Sequence, residues 1–423
     1  MIARNFLEAD NNILYPRIDY AGQNLGIVAG ECPVFSYVIF FVSKIFGYDH
    51  WYGRLINLIV SSLGIFFFGL IIQKYFGEKI AFNSVLILLC SIWFSFSRKI
   101  MPDTFSASIV ISGIYFGVKF SEKQRMLYWA LFIILTAIGG LSKMPSVILM
   151  GPMLLFLFNK DYTVKFKVLL SAGAACSLSI VASWYFYWQP YLLASFKNQL
   201  YFPFSFADGL SQIICLWKDT LHQFYFASFN SYISFIVFLV GFLFIFIKSN
   251  RQLLLIFIFS LLPFLYFIIK SGNIFPTHNY YIIPFVPVMS LIAGYGLYEL
   301  NNKFHKNFFY IIYILVMEAV LNQHHDFHLN KKELYKTKLE LIAENITDKN
   351  DKIAINGGLN PQEIYFSHRK GWSLETDDFL KKEKIAELKE KGCRFLFINK
   401  HTLSEKLPYH KVFDDENYSV YEI

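Results

Sequence analysis

Charged side chains in this sequence collect beside long apolar runs, where desolvation makes them expensive and where they usually have fixed partners or a chemical task. Asp103 ends SRKIMPD (97–103), a polar hinge between two apolar runs, with Arg98 and Lys99 just before it. Glu31 stands directly ahead of Cys32-Pro33 and the apolar stretch 34–46, in a segment that also holds Asp10, Arg17 and Asp19. Lys143, in GGLSKMPS, separates two apolar helices on the side of the chain poor in basic residues. A cation there suits an anionic phosphate at a membrane surface. His278 lies in SGNIFPTHNYYIIP with Asn279, Tyr280 and Tyr281, and could donate to a phosphate oxygen or ligate a metal ion.

Each of these has a structural alternative. Asp103 serves equally well as a helix N-cap if Thr104 begins the next helix, since an acid there complements the dipole. Arg54 follows Trp51-Tyr52-Gly53 and reads as a snorkelling anchor beside an aromatic belt. A tyrosine belt also explains Tyr280 and Tyr281. The aromatic stretch 184–206 offers platforms for sugar faces, and a membrane interface accounts for it as well.

The elements that must position these groups are membrane helices. The 423 residues are 55% hydrophobic and only 17% charged, against roughly 25% charged in soluble domains. Breaks rich in charge, Pro or Gly leave ten candidate spans near 54–74, 80–97, 104–120, 127–141, 146–158, 166–187, 230–247, 253–270, 281–299 and 308–322. Several approach the roughly 20 residues needed to cross the hydrocarbon core, and none shows the alternating polarity of barrel strands. The stretch 34–46 is shorter and suits an interfacial or re-entrant helix. Alternating the spans gathers the loops 73–79, 119–125, 160–167, 248–251 and 303–306 on one side, and every one is basic, which marks the cytoplasm. That bias accounts for the formal charge of +8 without nucleic acid. The other side, external, receives 1–53, the hinge 98–103, the Lys143 corner, 188–229, 271–280 and the chain after about 323.

From Asn330 onward Lys, Glu, Asp and Asn dominate. Residues 351–356 (DKIAIN) and 393–399 (CRFLFIN) read as buried strands, and 378–391 as a charged helix ending at Gly392. The prediction is therefore a polytopic α-helical membrane protein of about ten transmembrane helices with juxtamembrane helices and a small C-terminal α/β soluble domain. Its parts are an external loop (1–53), a helical bundle (54–322) and an external domain (323–423). The segment HRKGW (368–372) reads as a surface turn or a ligand contact. The five cysteines share no metal or disulfide spacing and read as packing residues. Residues 1–33 are polar, have no signal peptide and yet fall on the external side, so a preceding transmembrane helix is expected to be missing.

Seven short stretches occur in an order that resembles the lipid-linked-sugar glycosyltransferases of the GT-C superfamily, specifically the family 39-like bacterial enzymes related to protein mannosyltransferases and aminoarabinose transferases. They are ARNF (3–6), YPRIDYAG (15–22), GECPVFSY (30–37), IFG with YGR (45–54), SRKIMPD (97–103), LSKMPS (141–146) and HNYYIIP (278–284). The resemblance implies a helical bundle whose first external loop forms juxtamembrane helices over an active site, often with an external C-terminal domain. It matches Glu31 to an acid of the first loop, Asp103 to the acid of the second, and Lys143 and His278 to positions near a lipid phosphate. Asp19, Arg54, Arg98, Tyr280 and Tyr281 are further candidate substrate contacts.

The implied reaction is inverting sugar transfer from a polyprenyl-phosphate donor to a lipid, glycan or protein acceptor at the external face of a bacterial plasma membrane. Asp103 or Glu31 would act as base. No cofactor is required by the pattern, and a divalent metal stays open. In the family a transmembrane helix with an acidic or polar motif precedes the ARNF-like segment, where this chain begins. The rival readings are a transporter or flippase of lipid-linked sugar, whose internal repeats are absent here, and an inactive relative.

Overall fold

The computed structural model describes residues 1–200, 203–304, 309–328 and 330–423 of the chain. Tyr201, Phe202 and Lys306, which the sequence reading assigned to the aromatic stretch and a basic loop, lie outside the described residues. The chain folds as two compact units, one of Glu31–Pro190 with Tyr201–His328, the other of Met1–Gly30, Tyr191–Leu200 and Leu329–Ile423.

The larger unit is a helical bundle. Among the described residues, five helices are long and apolar enough to cross a membrane: Tyr52–Phe76, Pro102–Lys123, Val164–Phe196, Arg251–Ser271 and Asn279–Phe304. A pair bent by 91°, Trp217–Ala227 and Tyr232–Ile247, makes a sixth if it is one span. The other predicted spans are shorter. The run 80–97 breaks at Ser91, whose hydroxyl caps the helix Ile92–Ser97 through the Trp93 amide. The Ile92 amide finds the Ser228 carbonyl across the break. The run 146–158 is a 3₁₀ helix, Met144–Leu154, with Leu155–Phe158 following. Pro145 and Pro152 cannot donate the bonds of an α-helix there.

Packing follows small residues. Gly64 of Tyr52–Phe76 lies so close to Ser108 of Pro102–Lys123 that a Cβ would stand 2.3 Å from its hydroxyl oxygen, the close backbone approach that membrane helices use when no hydrophobic force separates helix from lipid. Two spans are interior. Pro102–Lys123 is 67% buried over its most apolar window and Asn279–Phe304 is 89% buried, against 28% for the other three. The interior pair carries Asp103 and the Tyr280–Tyr281 dipeptide.

The smaller unit holds a five-stranded sheet of β1 (Lys352–Ile355), β2 (Lys370–Ser373), β3 (Cys393–Asn399), β4 (His410–Asp414) and β5 (Tyr418–Glu422). The order is β2-β1-β3-β5-β4, with β1 parallel to β2 and β3 and the rest antiparallel. Alternation along the strands sorts two cores. Ile353, Ile355, Phe395 and Phe397 pack with Leu339–Ile346 and Gln362–Ser367, whereas Ala354, Leu396 and Ile398 pack with Ile385 and Leu388 of Lys382–Glu390. The HRKGW segment is not a surface turn. His368 is a left-handed helix cap, Arg369 is buried on Thr347, and β2 begins at Lys370.

The N-terminal segment belongs to this unit. The Gly371 amide donates to the Asp19 carbonyl at 2.9 Å and the Gly22 amide to the Gly371 carbonyl at 2.7 Å, so the YPRIDYAG stretch covers the β2 edge. Gly22 needs its positive φ of 65° there, under the Trp372 indole.

Candidate active site

Helix Met126–Ser142 ends at Lys143, whose backbone turns to an extended conformation before the 3₁₀ helix. Ser106, on the interior helix one turn beyond Asp103, fixes this corner. Its hydroxyl lies 2.6 Å from the Gly139 carbonyl, 2.7 Å from Ser146 Oγ and 3.2 Å from the Lys143 carbonyl. Gly139 permits the approach, since a Cβ there would stand 2.8 Å from the Ser106 carbonyl oxygen. The Tyr185 hydroxyl braces both flanks, donating to Leu141 O at 3.0 Å and accepting from the Met144 amide at 3.2 Å.

With the corner fixed, Lys143 Nζ lies 2.6 Å from Glu31 Oε1 and 3.5 Å from Asp103 Oδ1. The Tyr280 and Tyr281 rings stand with centroids 5.5 Å from the same ammonium. The two carboxylates differ in access: the Glu31 side chain is 36% exposed and that of Asp103 only 4%. Asp103 Oδ2 is buried with no hydrogen-bond partner among the described residues. Asp103 is not the N-cap. Met101 holds that position, the helix starts at Pro102, and the acid sits in its first turn, where it complements the dipole without capping.

The hinge that delivers Asp103 is held by Asn57. Its amide donates to the carbonyls of Phe96 at 2.9 Å, Lys99 at 2.8 Å and Met101 at 3.2 Å, while its Oδ1 accepts from Ser61 at 3.0 Å and Thr104 at 3.1 Å. A fully buried amide thereby satisfies a loop that interrupts two helices.

Arg98 belongs to a second cluster. The Arg98 guanidinium lies 4.5 Å from the Phe94 ring and 4.7 Å from that of Phe327. Burial, opposed by Asp326 and reinforced by the Arg54 charge, holds its pKa below the usual value. Asp326 accepts from Ser95 and lies 3.3 Å from Lys99 Nζ.

His278 caps the short helix Ile274–Thr277, its ring edge-on to Tyr280 and Tyr281 at 5.4 and 6.0 Å. Nδ1 lies 2.9 Å from the Thr277 hydroxyl and 3.1 Å from the Ile274 carbonyl. Burial pushes the Cys32 thiol, next to Glu31, up to about 12, which rules out a thiolate nucleophile at neutral pH. The exposed Cys176 and Cys215 are not packing residues.

Asp19 is elsewhere, in the smaller unit. It accepts from Arg4 Nη2 at 3.1 Å and from the Asn5 amide at 2.7 Å, both buried, and Arg4 also reaches the Tyr365 carbonyl. Among the described residues no group of three His, Cys, Asp or Glu side chains is arranged to hold a metal ion. At Glu31 and Asp103 the Lys143 ammonium occupies the position between carboxylates that a divalent ion would need.

Residues 30–188 match the family model of dolichyl-phosphate-mannose-protein mannosyltransferases. That span holds Glu31, Asp103, Lys143 and Tyr185. The fold is similar to that of ArnT from Cupriavidus metallidurans bound to undecaprenyl phosphate, with a TM-score of 0.62, 14% identity, and 100% of this chain and 92% of that chain covered. It is also similar to the oligosaccharyltransferase of Archaeoglobus fulgidus in complex with Zn and sulfate, at TM-score 0.61 and 11% identity over 94% of this chain and 63% of that one. The family match is confined to 30–188, and the likeness to these structures is one of fold. Comparison with curated protein sequences gives no significant match. Archaeal AglB from the same organism, in complex with an inhibitory peptide and a dolichol-phosphate, matches at TM-score 0.56 and 10% identity, over 94% of this chain and 64% of that one. Within this chain, the GECPVFSY, SRKIMPD and LSKMPS stretches converge on Lys143. The ARNF and YPRIDYAG stretches instead build the smaller unit. Asn57 and Tyr185 were missed by sequence reasoning. A lone Asn inside LINLIV was the available signal for the first, whereas Tyr185 is lost among its aromatic neighbours.

Proposed function

We propose that this protein is an inverting glycosyltransferase that moves a sugar from a polyprenyl-phosphate donor to a lipid, glycan or protein acceptor, at the external face of a bacterial plasma membrane. The observation that carries the reading is the Lys143 ammonium held between two carboxylates of unequal access, inside the segment that matches the mannosyltransferase family model. Polyprenyl phosphates in the similar structures, undecaprenyl phosphate in ArnT and dolichol-phosphate in AglB, support the choice of donor.

Glu31, the accessible carboxylate, takes the proton of the acceptor hydroxyl as its oxygen attacks the anomeric carbon. The bond from that carbon to the phosphate oxygen breaks on the opposite face, and the electron pair leaves with the polyprenyl phosphate, inverting the centre. Lys143 stabilises the departing phosphate, with Arg54 and His278 as further donors and Tyr280 and Tyr281 as walls. Asp103 keeps the ammonium in place. The carboxylates leave no vacancy for a divalent ion while Lys143 is between them.

The test is membranes containing the full chain, supplied with a radiolabelled polyprenyl-phosphate sugar and envelope acceptors. A transferase consumes the donor only with acceptor, a flippase relocates it intact, and an inactive relative does neither. E31Q is expected to lower turnover about 10²–10⁴-fold, with D103N also impaired. Undiminished transfer by both variants removes the pair from the mechanism.

A further inference from the structure

Three of the ten histidines fall within residues 324–328, in the sequence HHDFH that follows the helix Phe309–Asn322. His324 opens the 3₁₀ turn His324–Phe327, and His328 follows it in extended backbone with its ring against that of His324. His324 Nε2 and His328 Nε2 are 3.1 Å apart, with ring centroids at 4.5 Å and both side chains exposed. Two imidazole nitrogens that bind the same Zn²⁺ at about 2.0–2.1 Å stand about 2.8–3.4 Å apart, from a right angle to a tetrahedral one. The observed separation falls in that range. His325 is different: its ring is 78% exposed and its Nε2 lies 3.6 Å from Asp326 Oδ1, away from the pair.

We propose that His324 and His328 form a two-histidine chelate for a divalent transition-metal ion such as Zn²⁺, with water completing the coordination. The site is separate from the Glu31–Asp103–Lys143 cluster and does not rest on the glycosyltransferase reading. Asp326 and Phe327, inside the chelate loop, hold the Ser95, Arg98 and Lys99 side chains of the hinge. A bound ion therefore ties down the turn that braces this hinge.

The test is equilibrium titration of the purified full chain in detergent, stripped with a chelator, with Zn²⁺ in competition with a chromophoric indicator. One equivalent should bind the wild-type chain. H324N and H328N should each weaken binding at least about tenfold, the loss of one arm of a chelate, and H325N should leave it unchanged. Because the replaced rings are exposed, all three variants should melt as the wild type does without metal. No Zn²⁺ uptake by the wild type, retained binding in the H324N/H328N double variant, or an equal loss in H325N would each overturn the proposal.

Discussion

Replacing Asn57 with Leu tests whether one buried amide sets the hinge. Leu removes three donated and two accepted hydrogen bonds. The Phe96 carbonyl keeps a partner, the Lys99 amide at 3.1 Å, so Lys99 O and Met101 O are the two that lose one. An orphaned carbonyl costs about 1–3 kcal/mol. Both are only partly buried, which puts their joint cost toward the low end, about 2–3 kcal/mol. Thr104→Val removes only the donor to Asn57 Oδ1, and such bonds between membrane helices couple by about 0.6 kcal/mol on average and at most about 1.7. Wild type, N57L, T104V and the double variant, unfolded by SDS titration and followed by circular dichroism, form a cycle. The expected result is a clear loss in N57L and a double variant less destabilised than the sum of the singles. An N57L protein that unfolds at the wild-type midpoint, or strictly additive losses, would refute the assignment of Asn57 as the hinge staple.

Tyr185→Phe should cost about 1–2 kcal/mol from the two bonds flanking Lys143, and should reduce transfer activity while the smaller unit keeps its resistance to proteolysis. Asp19→Ala should destabilise the smaller unit by about 3–5 kcal/mol, because it leaves the Arg4 guanidinium buried without its partner. Hydrogen exchange in β1 and β2 reads that loss, and an unchanged exchange rate would return Asp19 to the list of substrate contacts. Asp326 gives a pH dependence: burial pushes its pKa up, but the Ser95 hydroxyl and the Lys99 ammonium outweigh this and hold it below the ordinary value. A depressed pKa adds stability that is fully present above the ordinary Asp value of about 3.9 and fades as pH falls through the lower folded value. Wild type and D326N should therefore differ in unfolding midpoint near neutral pH and converge in acid. A gap that does not narrow at all between neutral pH and acid counts against the pairing.

The motif stretches were legible because desolvation is a local matter: an acid or a lysine at the end of an apolar run announces itself. Glu31, Asp103 and Lys143 could be named this way, and so could the strands 351–356 and 393–399, whose apolar runs have nowhere to go but a sheet interior. Asp19 satisfied the same local criterion and went to a different place, since the segment that holds it with Arg4 and Asn5 pairs with the β2 edge, hundreds of residues further along the chain. The span count was also beyond the sequence. Apolar length alone does not distinguish a crossing helix from the Ser91-broken run or from the proline-interrupted 3₁₀ segment.

The sequence by itself determined that the chain lies in a membrane, where the apolar runs fall, and which charged residues need a partner, because hydrophobicity and charge are properties of each residue. Which charge meets which was decided only in three dimensions. The Lys143 corner reaches Asp103 because Gly139 lets two helix backbones touch at Ser106, and Asn57 holds the hinge through carbonyls that every residue possesses. Backbone polar groups carry no sequence signature, so the network that aims Asp103 at Lys143 is a property of the tertiary structure.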